Sequence, residues 1–158
     1  MEGRATLKLI QGNIWLAKPP VMIVITTNSQ VKASGELVMG AGIALEAARK
    51  APRLPAECGK AVHEHGRVYG FLPIRHPRTP GVAGIGIFQT KEDWKDNANL
   101  VLIANSAKML SEYARYNADI PIRLNYPGIG FGRLTKEQVG PILEEAFGAV
   151  ENVSVYYV

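Results

Sequence analysis

A single cysteine, Cys58, stands among the 158 residues. It excludes an internal disulfide framework and fits a reducing compartment. Histidines are scarce as well. His63 and His65 sit two apart, so on a helix they point to different faces, and with no further cysteine they make no zinc set. No metal is expected. No apolar run approaches the ~20 residues that cross a bilayer, so no membrane partner is expected. The opening stretch "MEGRATLKLI" has no apolar core of the secretory kind, and the expectation is a cytoplasmic protein. Neither charge sign dominates: 18 basic residues face 14 acidic ones, for a net +4. The basic residues are scattered rather than gathered in a stripe. Aromatics make up 8%, with no interleaved Arg/aromatic platform, which weakens a single-stranded nucleic-acid binder as the rival reading.

What is present is an ordinary globular composition, 47% apolar and 20% charged, long enough for one domain over 1–158 with a sizeable core. "VMIVITT" (21–27) is a β-branched run suited to a strand buried on both faces. Further strands are expected at 6–14, 67–74, 82–90, 120–126 and 153–158. Helices are expected at 41–51, stopped before Pro52; at 54–66, closed by Gly66; at 99–117, with Leu100, Ile103, Ala104, Ala107 and Leu110 as its apolar face; and at 135–150, capped by Thr135, with Pro141 as a kink or a restart. Some six strands interleaved with four helices predict an α/β fold, a three-layer α/β/α domain on a central mixed sheet.

Two stretches stand out. "MGAGIA" (39–44) carries almost no side chains at the mouth of a helix. Unpaired N–H groups and the positive end of the helix dipole would meet an anion there. "YPGIGFGRL" (126–134) repeats the arrangement after another strand. Taken singly, each reads as a tight turn. Together, at the carboxyl ends of strands in one α/β chain, they favour a diphosphate held from both sides. Neither is a Walker loop, since no Gly-Lys-Ser/Thr follows.

Four pieces resemble the macro domain, the ADP-ribose-binding module: "GNI" (12–14), "MGAGIALEAAR" (39–49), "FQTKEDWKDNANL" (88–100) and "YPGIGFGRL". The likeness runs over nearly the whole chain. It is nearest the branch of terminal ADP-ribose glycohydrolases, antitoxins that remove ADP-ribose from DNA, and ADP-ribose-1''-phosphate phosphatases. The third piece is similar to that branch's Phe-Pro-Thr-Lys-x-x-Trp-Arg. By this resemblance Asn13 would meet the adenine amine and Ile14 would offer its N–H to the ring. Gly40, Ala41, Gly42 and Ile43 would surround the distal ribose and a phosphate. Gly128, Ile129, Gly130, Phe131 and Gly132 would wrap the diphosphate, with Phe131 as a lid. Asn28 would face the ribose hydroxyls. Lys91 is the catalytic candidate, able to attack the anomeric carbon or hold the ribose; its simpler reading is a solvated turn lysine.

The resemblance implies no cofactor. The partner would be ADP-ribose or a related nucleotide and, for a glycohydrolase, an ADP-ribosylated macromolecule.

Three departures matter. Asn13 is neutral where the family has aspartate. The chain is about six residues longer than the resembled branch between Asn28 and Met39, so "VKASGE" (31–36) can form a lid or reach a partner. No acid lies between Tyr126 and Glu137, where the glycohydrolase has one. Glu92 and Asp93 read as surface residues, and Trp94 as packing for its loop. His76 reads as a surface residue or a general acid. Arg133 reads as a phosphate partner or a solvated cap. The expected functions are therefore ADP-ribose binding with 1''-phosphate removal, glycohydrolysis, or a non-catalytic reader or sponge.

Overall fold

A computed structural model describes residues 7–16, 20–79 and 83–158. Its elements run β1 (Lys8–Gln11), β2 (Met22–Thr27), α1 (Ile43–Lys50), α2 (Leu54–His65), β3 (Phe71–Arg75), β4 (Gly84–Gln89), α3 (Leu100–Tyr116), β5 (Ile122–Asn125), α4 (Lys136–Phe147) and β6 (Val153–Tyr157). The six strands form one sheet in the order β1-β6-β5-β2-β4-β3. All neighbours are parallel except β3, which runs antiparallel to β4 at one edge. This is the three-layer α/β/α fold with a mixed sheet. No helix among the described residues is long and apolar enough to cross a membrane.

Alternation along β2 explains the layers. Met22 and Val24 join the core shared with α3 and α4, while Ile23 and Ile25 join the core shared with α1 and α2. A strand whose two faces are both covered must be apolar throughout, and β2 is buried along nearly its whole length.

The expected elements exist, with shifted ends. The 67–74 strand is confined to Phe71–Arg75, because Gly70 at φ 77° breaks the extended run before it. Residues 80–82, expected to turn into β4, lie outside the described residues. The face of α3 also differs: Leu102, Ser106 and Ser111 are buried with Ile103, Ala107 and Leu110, and Ala104 is exposed. Pro141 neither ends nor restarts α4, which continues from Lys136 to Phe147 around it. The Thr135 cap is present as a reciprocal box: its side chain accepts from the Gln138 N–H, and the Gln138 side chain accepts from the Thr135 N–H.

The 31–36 extension is a small hairpin. It is closed by a Val31–Leu37 bridge and tied to the start of α2 by the Leu37 N–H donating to Pro55 O at 2.9 Å. It packs so closely on α2 that a Cβ on Gly59 would lie 1.9 Å from Gly35 O. None of residues 31–36 lines the cleft described next. The expectation of a lid is thus corrected: the backbone contact at Gly59 holds the extension against α2.

Candidate functional site

Five parallel strands send their carboxyl ends to one edge of the sheet. There the strand order reverses around β2, the position where open α/β sheets open a crevice. Pairing between β2 and β5 stops at Val24–Leu124, whereas β2 continues beside β4 to Thr27–Gln89. The strands part at that point, and Asn125 spans the gap. Its Oδ1 accepts from the Thr26 N–H and its Nδ2 donates to Thr26 Oγ1, each at 2.9 Å. Above this floor opens a cleft of about 1040 Å3.

The cleft brings together Asn13, Ile14, Asn28, Gly40, Ala41, Gly42, Ile43, Lys91, Gly128, Ile129, Gly130, Phe131 and Gly132. These are the residues that the macro-domain resemblance assigned to ligand binding and catalysis. They come from five separate segments, brought together only by the sheet.

The two glycine loops face each other. Gly40 and Gly42 have φ of 59° and 67°, and Gly128 and Gly130 have φ of 79° and 68°. Such backbone favours glycine. Gly42 also caps α1 without any capping side chain, so the first-turn N–H groups lack the side-chain acceptor that often satisfies them. Phe131 is 73% exposed, yet its ring lies 3.6 Å from where a Cβ on Gly42 would stand. It thus spans the mouth between the loops. A short 3-10 turn, Gly130–Gly132, presents it. The left-handed Arg133 (φ 65°) follows, its N–H donating to Gly130 O.

Lys91 lies at the end of β4, half-buried, and its Nζ donates to Asp96 O at 3.0 Å. Burial lowers its pKa first; Asp96 and Asp93 push it back up and Arg133 pushes it down. Lys95, Arg133 and Lys136 also line the cleft, against the carboxylates of Glu46 and Asp96. The excess of cations suits a diphosphate.

The structure shows how several of the remaining candidates are held. Asn28 lines the cleft, but its amide serves the loop: Nδ2 donates to Val38 O at 2.8 Å and Oδ1 accepts from the Gln30 N–H at 2.9 Å. The amide is therefore oriented by these backbone groups. Asn13 Oδ1 accepts from the Trp15 N–H at 2.9 Å, which turns it into its own loop. Trp94, expected under its loop, is 44% exposed on the cleft wall. His76 is exposed and outside the cleft, so the general-acid reading fails for want of proximity. Cys58 is fully buried, and burial pushes its thiol up to about 12, which leaves it inert. Among the described residues no three His, Cys, Asp or Glu side chains gather in a way that could hold a metal.

Other residues carried no signal in the sequence. Gln89 stands where the resembled stretch has proline, and it is fully buried. Its amide accepts from the Gly70 N–H at 3.1 Å and donates to Arg67 O at 2.6 Å and Lys91 O at 3.3 Å. This clamps the backbone that carries Lys91. Tyr69, buried, donates to Asn28 O at 2.9 Å and contacts Thr27 Oγ1. Trp15 and Glu46 line the opposite end, joined by an indole N–H to Oε1 bond of 3.0 Å. Only their neighbourhood to "GNI" and "MGAGIA" hinted at them.

No protein-family model matches the sequence, and no curated protein matches it. Solved structures do. The macrodomain of Thermus aquaticus DarG is 26% identical, with 96% of each chain covered and a TM-score of 0.76. The macrodomain of Mycobacterium tuberculosis DarG is 24% identical, with 98% of this chain and 99% of that one covered and a TM-score of 0.78. Thermosipho africanus DarTG, solved in complex with ADP-ribose, is 17% identical; 97% of this chain matches 42% of that longer one at a TM-score of 0.79. The shared sheet and the near-complete mutual coverage with the Thermus aquaticus domain together give this chain the macrodomain fold.

Proposed function

We propose that this macrodomain, acting as a single cytoplasmic domain over 1–158, binds ADP-ribose or a derivative in the cleft and removes the 1''-phosphate from ADP-ribose-1''-phosphate. The observation that carries the reading is the pair of opposed positive-φ glycine loops, bridged at the mouth by Phe131 beside an uncapped helix N-terminus. That surface donates N–H groups to phosphate oxygens from two sides. Thermosipho africanus DarTG, 42% of which matches this fold, was solved in complex with ADP-ribose, and that adds support.

The choice of reaction follows from the second loop, which has Arg133 and no carboxylate. Glycosidic cleavage passes through an oxocarbenium-like state and normally uses a pair of acid/base groups. Phosphoryl transfer depends mainly on positioning and positive charge. In the proposed step, water oxygen bonds to phosphorus while the bond from phosphorus to the sugar oxygen breaks. The water's proton passes to that oxygen, giving orthophosphate and ADP-ribose. Arg133, Lys91 and the loop N–H groups hold the phosphoryl oxygens.

One observation favours a second reading. The depressed pKa of Lys91 suits a nucleophilic amine at the anomeric carbon, as in release of ADP-ribose from a modified protein or nucleic acid.

Calorimetric titration with ADP-ribose, ADP-ribose-1''-phosphate, NAD and ATP tests binding, with a Kd for ADP-ribose of roughly micromolar, about −8 kcal/mol, expected. Turnover of both substrate classes by wild type and Lys91→Ala tests the chemistry. Phosphate release with little glycohydrolysis is expected. Robust glycohydrolysis abolished by Lys91→Ala would select the second reading, and binding without turnover would leave a reader or sponge.

A further inference from the structure

At the end of the cleft where the ADP-ribose reading sets the base, three residues are linked. Trp15 links two polar side chains there: its backbone N–H bonds Asn13 Oδ1 at 2.9 Å, and its indole N–H bonds Glu46 Oε1 at 3.0 Å. Asn13 and Glu46 are therefore neighbours across one tryptophan, and both line the cleft. Glu46 belongs to the first turn of α1. It lies one turn after Ile43, on the same helix face, and Ile43 lines the cleft too.

The chemistry of the two side chains differs. The neutral Asn13 oxygen already accepts one bond within its own loop, which leaves it a single lone pair without the strength of a charge. Glu46 carries two acceptor oxygens with about four lone-pair sites, of which the indole uses one. Its charge strengthens each hydrogen bond it accepts. Lys50 Nζ lies over the Trp15 ring, 5.2 Å from its centroid, which helps to fix the ring that holds Glu46.

Resting on the ADP-ribose reading above, we propose that Glu46, oriented by Trp15, is the specificity-determining acceptor for the exocyclic amine of the nucleobase, in place of Asn13. The ligand class is then a nucleoside diphosphate sugar whose base presents an amine donor, and a base with a carbonyl at that position is rejected. The carbonyl would set its lone pairs against the carboxylate. In this chain the negative charge that reads the base comes from a helix, and the loop residue keeps only a turn-forming role.

The test is calorimetric titration with ADP-ribose and with its hypoxanthine analogue, inosine diphosphate ribose, whose base carries a carbonyl where adenine has its amine. Wild type should prefer ADP-ribose by about tenfold or more, the range of a hydrogen bond to a charged group. Glu46→Gln should reduce the preference to about twofold or less, since an amide can turn to meet either base. Trp15→Phe, which keeps a ring but removes the indole N–H, should lower it partway. Glu46 is exposed, and an unchanged Tm for Glu46→Gln would show the fold intact. Wild-type preference retained in Glu46→Gln, or lost in Asn13→Ala instead, would overturn the assignment while leaving ADP-ribose binding standing. Wild type that binds neither nucleotide would refute the ADP-ribose reading and this assignment with it.

Discussion

Replacing Gly42 by valine separates a phosphate-binding turn from a merely tight one. Gly42 has φ 67° and ψ −139°, close to a region that only glycine occupies readily, where other residues cost on the order of 1–3 kcal/mol. A β-branched side chain sits at the upper end of that range. The side chain itself has room, since its Cβ would meet the nearest atom, Phe131 Cδ2, at 3.6 Å, an ordinary contact. The stability loss should therefore be about 2–3 kcal/mol, or roughly 4–12 °C in Tm for a chain of this size. The branches of the valine would stand between the two loops, where a diphosphate must approach backbone N–H groups. ADP-ribose affinity should fall by about a hundredfold or more, some 3 kcal/mol. Gly35→Val is the matched control: it too has positive φ, 91°, with open space around its Cβ, and it lies in the hairpin away from the cleft. It should lose stability and keep binding. Thermal unfolding and calorimetry on both variants decide the matter. If Gly42→Val binds ADP-ribose as wild type does, the first glycine loop is not the phosphate site.

Gly59→Ala should lower Tm by several degrees with ligand affinity unchanged, because its Cβ would meet the Gly35 carbonyl backbone and overpacking costs about 1–3 kcal/mol. Arg133→Gly should raise stability by up to about 1 kcal/mol, since it relieves a left-handed residue; it should also weaken ADP-ribose-1''-phosphate more than ADP-ribose, and equal effects on the two would count against Arg133 as a phosphate partner. Lys91 titrates below its usual 10.5 because of burial and the Arg133 charge. Its labelling by an amine reagent should therefore rise at lower pH than that of exposed lysines, and Arg133→Gly should shift the rise upward. In the same window the unfolded chain binds more protons at Lys91 than the folded one, so wild type should gain stability with rising pH relative to Lys91→Met; a flat difference would refute the shift.

Much of this protein was legible in its sequence. The β-branched run 21–27 could only be satisfied by cover on both faces, and the alternation of helix-forming and strand-forming runs predicts a layered sheet. Those signals are local, set by side-chain branching and periodicity. The glycine loops were legible for the same reason: a positive φ or a close backbone approach demands glycine where it occurs. Four short motifs also carried the macro-domain resemblance.

Other features needed the tertiary structure. The hairpin at 31–36 has the polar, flexible composition of a lid, yet a backbone contact between Gly35 and Gly59, distant in sequence, fixes it on α2. Gln89 reads as one more strand residue until the fold surrounds it with the carbonyls of Arg67 and Lys91. The extra reach of β2 beyond β5 opens the cleft, and strand register is not written in either strand alone. Glu46 looks like the acidic first-turn residue of any helix, favoured there by the dipole. Only the packing of the 12–16 loop against α1 brings the Trp15 indole to its carboxylate and gives it a direction. Local sequence sets which backbone conformations are cheap; which polar groups meet across long separations is settled by how the layers close on one another.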